Sequence, residues 1–318
     1  MARNQWFVFL MVFVALALAG GAAAQGRGRG GGGNTPPPDP AIAYLDTRKN
    51  DLMVMNEDGS NQTLVLGRLG SLVQPALSID GEQLAFAGTV GGQAGVYSVY
   101  VDGSGLRLVS PIFDASPGLV DPSWSPIPAP DGHPKIAFWD TVDGSPGGDW
   151  ELWVVNTDGT GRQRLTDTPG RNLTSPEWSA DATRIVVKSF EGLIVFELGL
   201  VSGQLAIVGE VNVTDVPGSP LQGVPLAFPA WANTLDLLVV SAVTPDSYGN
   251  TDLWLIDPAA PEEPERLTHT PLAERWATFS PDDTVIVFHG DGIQQMNLDG
   301  SNIVRLNRRG VAPNRRRG

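Results

Sequence analysis

Three histidines, His133, His269 and His289, are the chain's groups that titrate near neutral pH, and two of them brought together would suit metal ligation or acid–base work. A second candidate lies in and beside one glycine-containing loop, where Asp140, Asp143, Asp149 and Glu151 gather. Carboxylates at that density could chelate Ca²⁺, but their spacing does not follow the EF-hand loop, and the competing reading is solvated charge. Nucleophilic catalysis asks for Ser, His and Asp in a supporting frame. The chain carries no Gly-x-Ser-x-Gly elbow and leaves no room for an α/β-hydrolase domain after its last repeat. It has no cysteine, which removes disulfides and Cys-based metal sites. No helix is predicted, so no glycine-rich loop can present phosphate to a helix N-terminus.

What must position these residues is a repeated β unit. The stretch Asp149 to Phe190 holds the strand-like runs Leu152-Trp153-Val154-Val155, Pro176-Glu177-Trp178 and Ile185-Val186-Val187, with Gln163-Arg164-Leu165-Thr166 as a weaker fourth. Short β-rich runs bounded by Gly, Asp, Asn and Pro are strand and hairpin signals. The strand-and-turn phrase recurs at Leu52-Met53-Val54-Met55, Val99-Tyr100-Val101, Leu253-Trp254-Leu255-Ile256 and Gln295-Met296-Asn297-Leu298, usually closed by Asp-Gly; the copy at Leu193-Ile194-Val195-Phe196 turns late, at Ser202-Gly203. A Pro-x-Trp-Ser phrase recurs at Pro122, Pro176 and, altered, at Pro229 and Ala277, with a faded copy at Pro75. Each copy precedes an apolar run such as Leu84-Ala85-Phe86 or Ile286-Val287-Phe288. The period is roughly forty to fifty residues, that of four-stranded propeller blades.

Two of these phrases carry a family resemblance. Phe279-Ser280-Pro281-Asp282-Asp283 leading into Ile286-Val287-Phe288, and Leu152 to Gly159 followed by Arg164-Leu165-Thr166, resemble the two halves of the PD40 (WD40-like) repeat of TolB-like six-bladed β-propellers. The resemblance covers about Ala41 to Arg308 and implies an all-β fold. TolB itself adds an N-terminal α/β domain, for which the residues before Ala41 offer no counterpart. Counting the repeated runs gives six blades, the first lacking a Trp-type inner strand. Closure between N- and C-terminal strands is therefore expected, with the missing inner strand supplied before Ile42 or after Gly310. Both segments contain Pro, so blade one is left three-stranded if neither serves.

The domain reading is a signal peptide over residues 1–24, a linker over 25–40, the propeller over 41–308 and a basic tail over 309–318. Arg3, the apolar run Trp6 to Leu18 and Ala22-Ala23-Ala24 follow the plan of a secretory signal; the competing transmembrane anchor would be short for a bilayer. The net charge is −14, and Arg305, Arg308, Arg309 and Arg315 to Arg317 crowd the end, leaving the blades still more acidic. That balance disfavours nucleic acid as a partner.

In a four-stranded meander the A–B and C–D turns share one face, here mostly short and rich in Asp-Gly, as tight turns demand. The B–C and D–A connections share the other and are long and varied, which is where binding usually lives on a rigid scaffold. Candidate binding residues on that face are Asp46, Arg48, Asp140, Arg171, Tyr248, His269, Arg275, Trp276 and His289. The expected function is a secreted or periplasmic, non-catalytic, monomeric propeller binding a protein, peptide or glycan, with no stable membrane span once the signal is removed. The alternative is a metal-dependent hydrolase, lyase or lactonase using a pore-mouth metal with carboxylate and His ligands; no cofactor is expected, Ca²⁺ being the one metal the loop acids could take.

Overall fold

The computed structural model describes residues 41–69, 74–113, 120–142, 149–243 and 250–315. Among them lie six antiparallel sheets of four strands and no helix. Four-residue runs such as Ile136–Trp139 are apolar without alternation, and the packing shows why: each blade is covered on both faces. Leu84 and Phe86 pack with Ala43, Leu45 and Val54 of blade one, while Ala85 and Ala87 face Ile136 and Phe138 of blade three. Further cores join blade three to four through Leu152 and Trp178, four to five through Val195 and Leu238, and five to six through Val239 and Phe288. The last returns to the start, with Val287 and Ile293 against Ile42, Tyr44 and Met55. Six blades thus share six cores, and the ring closes.

The inner strands are Pro75–Leu77, Ser123–Trp124, Thr174–Trp178, Leu226–Trp231, Arg275–Phe279 and Gly310–Arg315. The last corrects the expected division at residue 308. Gly310–Arg315 is no tail: it pairs with Ile42–Asp46 and makes blade one four-stranded, closed by the two ends of the chain as anticipated. Its proline is harmless because the ladder to Ile42–Asp46 skips a residue there, so the missing N–H leaves no bond unmade. The repeated tryptophans serve the cores. Trp178 and Trp231 are buried, and the Trp124 indole donates to the Ala76 carbonyl of the preceding blade at 2.8 Å.

The Asp-Gly turns join blades at the outer rim. In each, the Asp carboxylate accepts the N–H two residues on, as Asp102 does from Ser104 at 2.8 Å and Asp299 from Ser301 at 3.0 Å. The glycine then lies against a backbone carbonyl of the preceding blade's outer strand or the residue just beyond it. A Cβ on Gly300, at φ +77, would stand 2.5 Å from the Leu267 oxygen. Gly203, at φ +79, meets nothing within 4 Å. Gly203→Ala should therefore cost about 1 kcal/mol of backbone strain, and Gly300→Ala about 2–4 kcal/mol, because the neighbouring blade must also yield. Urea melts of the two variants test this; equal midpoints would contradict the contact.

Candidate functional site

The inner strands meet around one cavity of about 70 Å³. Each blade brings the same step to it: Gln74-Pro75, Asp121-Pro122, Ser175-Pro176, Phe228-Pro229, Trp276-Ala277 and Ala312-Pro313. In four of these the first residue is left-handed, with φ 50 at Ser175, 54 at Phe228, 52 at Trp276 and 48 at Ala312, and the strand pairing slips at the same place. Non-glycine residues rarely adopt such angles, and a following proline disfavours helical ones further. Bulges of this kind re-aim a side chain, and here they turn four of them towards the channel. The D–A and B–C connections open on this face. Glu177, Thr278 and Asn314 line the channel's next level, where Asn314 accepts the Leu77 N–H at 2.8 Å.

The rim carries an aromatic group. Phe228 and Trp276 lie 4.9 Å apart by ring centroids, and the His289 ring meets Trp276 edge-on at 5.5 Å. Trp276 Nε1 and His289 Nδ1 are shielded and have no hydrogen-bond partner among the described residues. Burial, then the neighbouring Arg275, hold His289 below its ordinary pKa, against the pull of Asp291. Asp121 forms part of the wall. Burial pushes its carboxyl up, opposed by hydrogen bonds from Ser175 and from the Trp139 indole at 3.0 Å. Lys188 stands nearby, its amine lowered by burial and raised by Asp121. Among the described residues neither Lys188 nor Arg275 makes an ion pair.

Of the residues singled out in the sequence, Trp276 lines the cavity, and Arg275 and His289 flank it as a register pair. Others have structural partners. Asp140 is buried and accepts from Arg162 at 2.7 Å and from the Phe113 N–H at 3.0 Å, while Arg162 lies 3.8 Å from the centre of the Trp153 ring. Arg171 pairs with Glu191 and Glu210 at 3.0 and 3.1 Å. Asp46 accepts the Arg48 N–H at a hairpin tip, which leaves the Arg48 side chain exposed, and His269 is exposed on its connection. The acids weighed as calcium ligands are tied to protein donors: Asp149 accepts from the Gly170 N–H, and Glu151 from Thr166 and Thr168. Tyr248 and Asp143 lie outside the described residues, among which no three metal-ligating side chains come together. Asp121, Ser175 and Phe228 escaped the sequence reading, although each stands directly before the proline of a repeated inner strand.

No protein-family model matches the chain. Over 128 residues it is 28% identical to the Tol-Pal system protein TolB of Anaeromyxobacter dehalogenans strain 2CP-C, covering 40% of this chain and 26% of that protein. Among solved structures, TolB from Acinetobacter baumannii superposes with a TM-score of 0.63 at 17% identity, over 88% of this chain and 67% of that one. The chain is a six-bladed β-propeller, similar to TolB in part of its sequence and in its fold. A chain of a nidogen/laminin complex shares the architecture, with a TM-score of 0.58 at 12% identity over 87% and 98% of the two chains. The sequence match spans about a quarter of the curated relatives' length. At these structural identities the likeness of the TolB-like propeller to solved structures concerns its fold.

Proposed function

We propose that this TolB-like propeller is an exported, non-catalytic binding protein that takes a polypeptide segment of a protein partner at the mouth of its channel. The observation that carries this reading is the bulge at Trp276. A left-handed, non-glycine conformation costs about 1–3 kcal/mol and tends to occur where a site needs a side chain held in place. Here it holds an indole at the rim beside Phe228, with an N–H left unanswered among the described residues. A cavity of about 70 Å³ admits one small group rather than a whole ligand. The partner therefore lies across the mouth and inserts a side chain. Two of the similar proteins fit this: one belongs to a Tol-Pal system, the other to a complex of two proteins. Export is proposed from the basic-then-apolar N-terminal run, which would place the chain in the periplasm or outside the cell. No helix among the described residues is long and apolar enough to cross a membrane.

Panning a displayed peptide library against the purified chain tests the proposal. Selected peptides are expected to bind with micromolar Kd, and Phe228→Ala with Trp276→Ala should weaken them at least tenfold, about 1.4 kcal/mol, with little change in melting temperature. Failure to select any peptide, or peptides indifferent to both substitutions, overturns it. A glycan array serves as the competing arm, since a half-buried indole at a channel rim also stacks on sugar rings. The metal-dependent hydrolase alternative draws on no three-ligand group among the described residues. Metal analysis is expected to return well under one equivalent of calcium or zinc, and stoichiometric metal with substrate turnover would replace the binding reading.

A further inference from the structure

Blades three and five use the same device to fasten the connection that leads to the next inner strand, and blade five adds a group to it. In blade three, Glu151 accepts from the Thr166 hydroxyl, from the Thr168 N–H at 2.6 Å and from the Thr168 hydroxyl at 3.0 Å, while the Leu152 N–H donates to the Thr166 oxygen. One carboxylate is met by three donors. In blade five, Asp252, Thr268 and Thr270 occupy the corresponding places, and the Leu253 N–H donates to Thr268 at 2.9 Å. Asp252 is held by Arg266 at 2.8 Å. The threonine hydroxyls turn instead to a second carboxyl, Glu274: Thr270 donates to it closely and Thr268 at 3.4 Å.

Glu274 is 1% exposed. Its N–H donates to the Thr251 carbonyl at 2.9 Å, and the Thr251 hydroxyl donates back to its carbonyl at 2.8 Å. Asp252 and Glu274 are thus both buried, with Arg266 paired to Asp252. Asp252 is the charged group that acts on Glu274 from blade five; His269 and Arg275 are the titratable or charged residues on its own segment. The residues that follow it directly are Arg275 and the strained Trp276 of the channel mouth.

We propose that Glu274 is a proton-operated latch, which holds connection 267–274 onto blade five while its carboxyl is neutral and releases it, with the mouth residues Arg275 and Trp276, once the carboxyl ionises. The neutral acid keeps a buried place beside Asp252 at little cost; the carboxylate must find water or endure like-charge repulsion. Burial first, and Asp252 among the lesser causes, push Glu274 up to about 7, opposed by the Thr270 hydroxyl. A raised carboxyl stabilises the fold fully below its unfolded value, and that contribution is lost as pH rises through about 7. The latch is therefore closed in mild acid and open in mild base. Its consequence for a ligand rests on the mouth being the binding site.

Hydrogen exchange of the ligand-free chain, corrected for intrinsic rates, tests the latch by itself. Protection of amides in 267–276 is expected to fall at least tenfold between pH 5.5 and 8.5, and Glu274→Gln, which cannot ionise, should remove the step. Flat protection in the unaltered chain, or an identical step in the variant, overturns the latch. Carbon-13 titration of the glutamate carboxyls needs no variant: a Glu274 midpoint near 7 supports the latch, and one near 4 sinks it. A step in exchange with no peptide captured at either pH leaves the latch and removes the binding reading. Peptide capture without the step does the reverse.

Discussion

Removing residues 310–318 should abolish cooperative folding, or lower the melting temperature by at least about 10 °C. The segment supplies the inner strand of blade one, paired with Ile42–Asp46 from Ile42↔Arg315 to Asp46↔Gly310. Its loss strips one side of a strand whose Ile42, Ala43, Tyr44 and Leu45 are at most 1% exposed. It also deprives Leu77 of the Asn314 acceptor and opens the ring next to blade two. Ladder bonds contribute about 0.5–1.5 kcal/mol each, and each large side chain exposed costs about 1.5–3 kcal/mol, so the sum exceeds about 5 kcal/mol. That is comparable with the whole stability of an ordinary domain. Asn314→Ala, which removes one acceptor and keeps the strand, should cost only about 1–2 kcal/mol. Differential scanning calorimetry separates the cases. A deletion variant that melts cooperatively within about 3 °C of the parent would mean that the ring does not depend on this closure.

That strand also shows how far the sequence could be read. The six strands next to the inner ones were plain in it, because a strand buried on both faces must be apolar throughout, and runs such as Ile185-Val186-Val187 admit few other readings. Gly310–Arg315 was not plain, since Gly, Pro and Asn are poor strand formers. Yet proline stands at the matching position in five of the six inner strands: Pro75, Pro122, Pro176, Pro229 and Pro313. In this fold it marks an inner strand's entry to the channel, and aligning the prolines would have found both the closure and the cavity wall. The candidate site was half legible for a different reason. Residue type predicts that Asp140, Glu151 and Arg171 are charged, but their partners sit 15 to 39 positions away in sequence, at places no repeat dictates. Arg275, Trp276 and His289 were recoverable because they stand at strand ends that the repeat itself defines.

Asp283→Ala is expected to destabilise the chain by about 3 kcal/mol, the largest loss from any single side chain on the short-turn face. Its carboxylate is 1% exposed and reaches from the A–B turn of blade six to that of blade five. There it accepts the backbone N–H groups of Asn233, Thr234 and Leu235 at 2.8, 2.6 and 2.9 Å, together with the Thr234 hydroxyl at 2.6 Å. The corresponding turn residues Gly81, Gly132 and Ala182 share its positive φ but have no carboxylate to offer. The clamp is thus peculiar to one pair of blades, and its removal leaves three amides short of an acceptor. Asp283→Asn separates charge from shape: asparagine tolerates φ 56 but replaces one acceptor oxygen with a donor, so about half the loss should persist. Arg184→Ala is the contrast, because the Arg184–Asp236 pair at 2.8 Å is partly exposed at 26% and 52% and should cost under about 1 kcal/mol. If Asp283→Ala melted no lower than Arg184→Ala, the carboxylate would be only filling space, and the adhesion between blades five and six would have to come chiefly from their shared apolar core, with Ala230, Val239, Phe279 and Phe288 among its members.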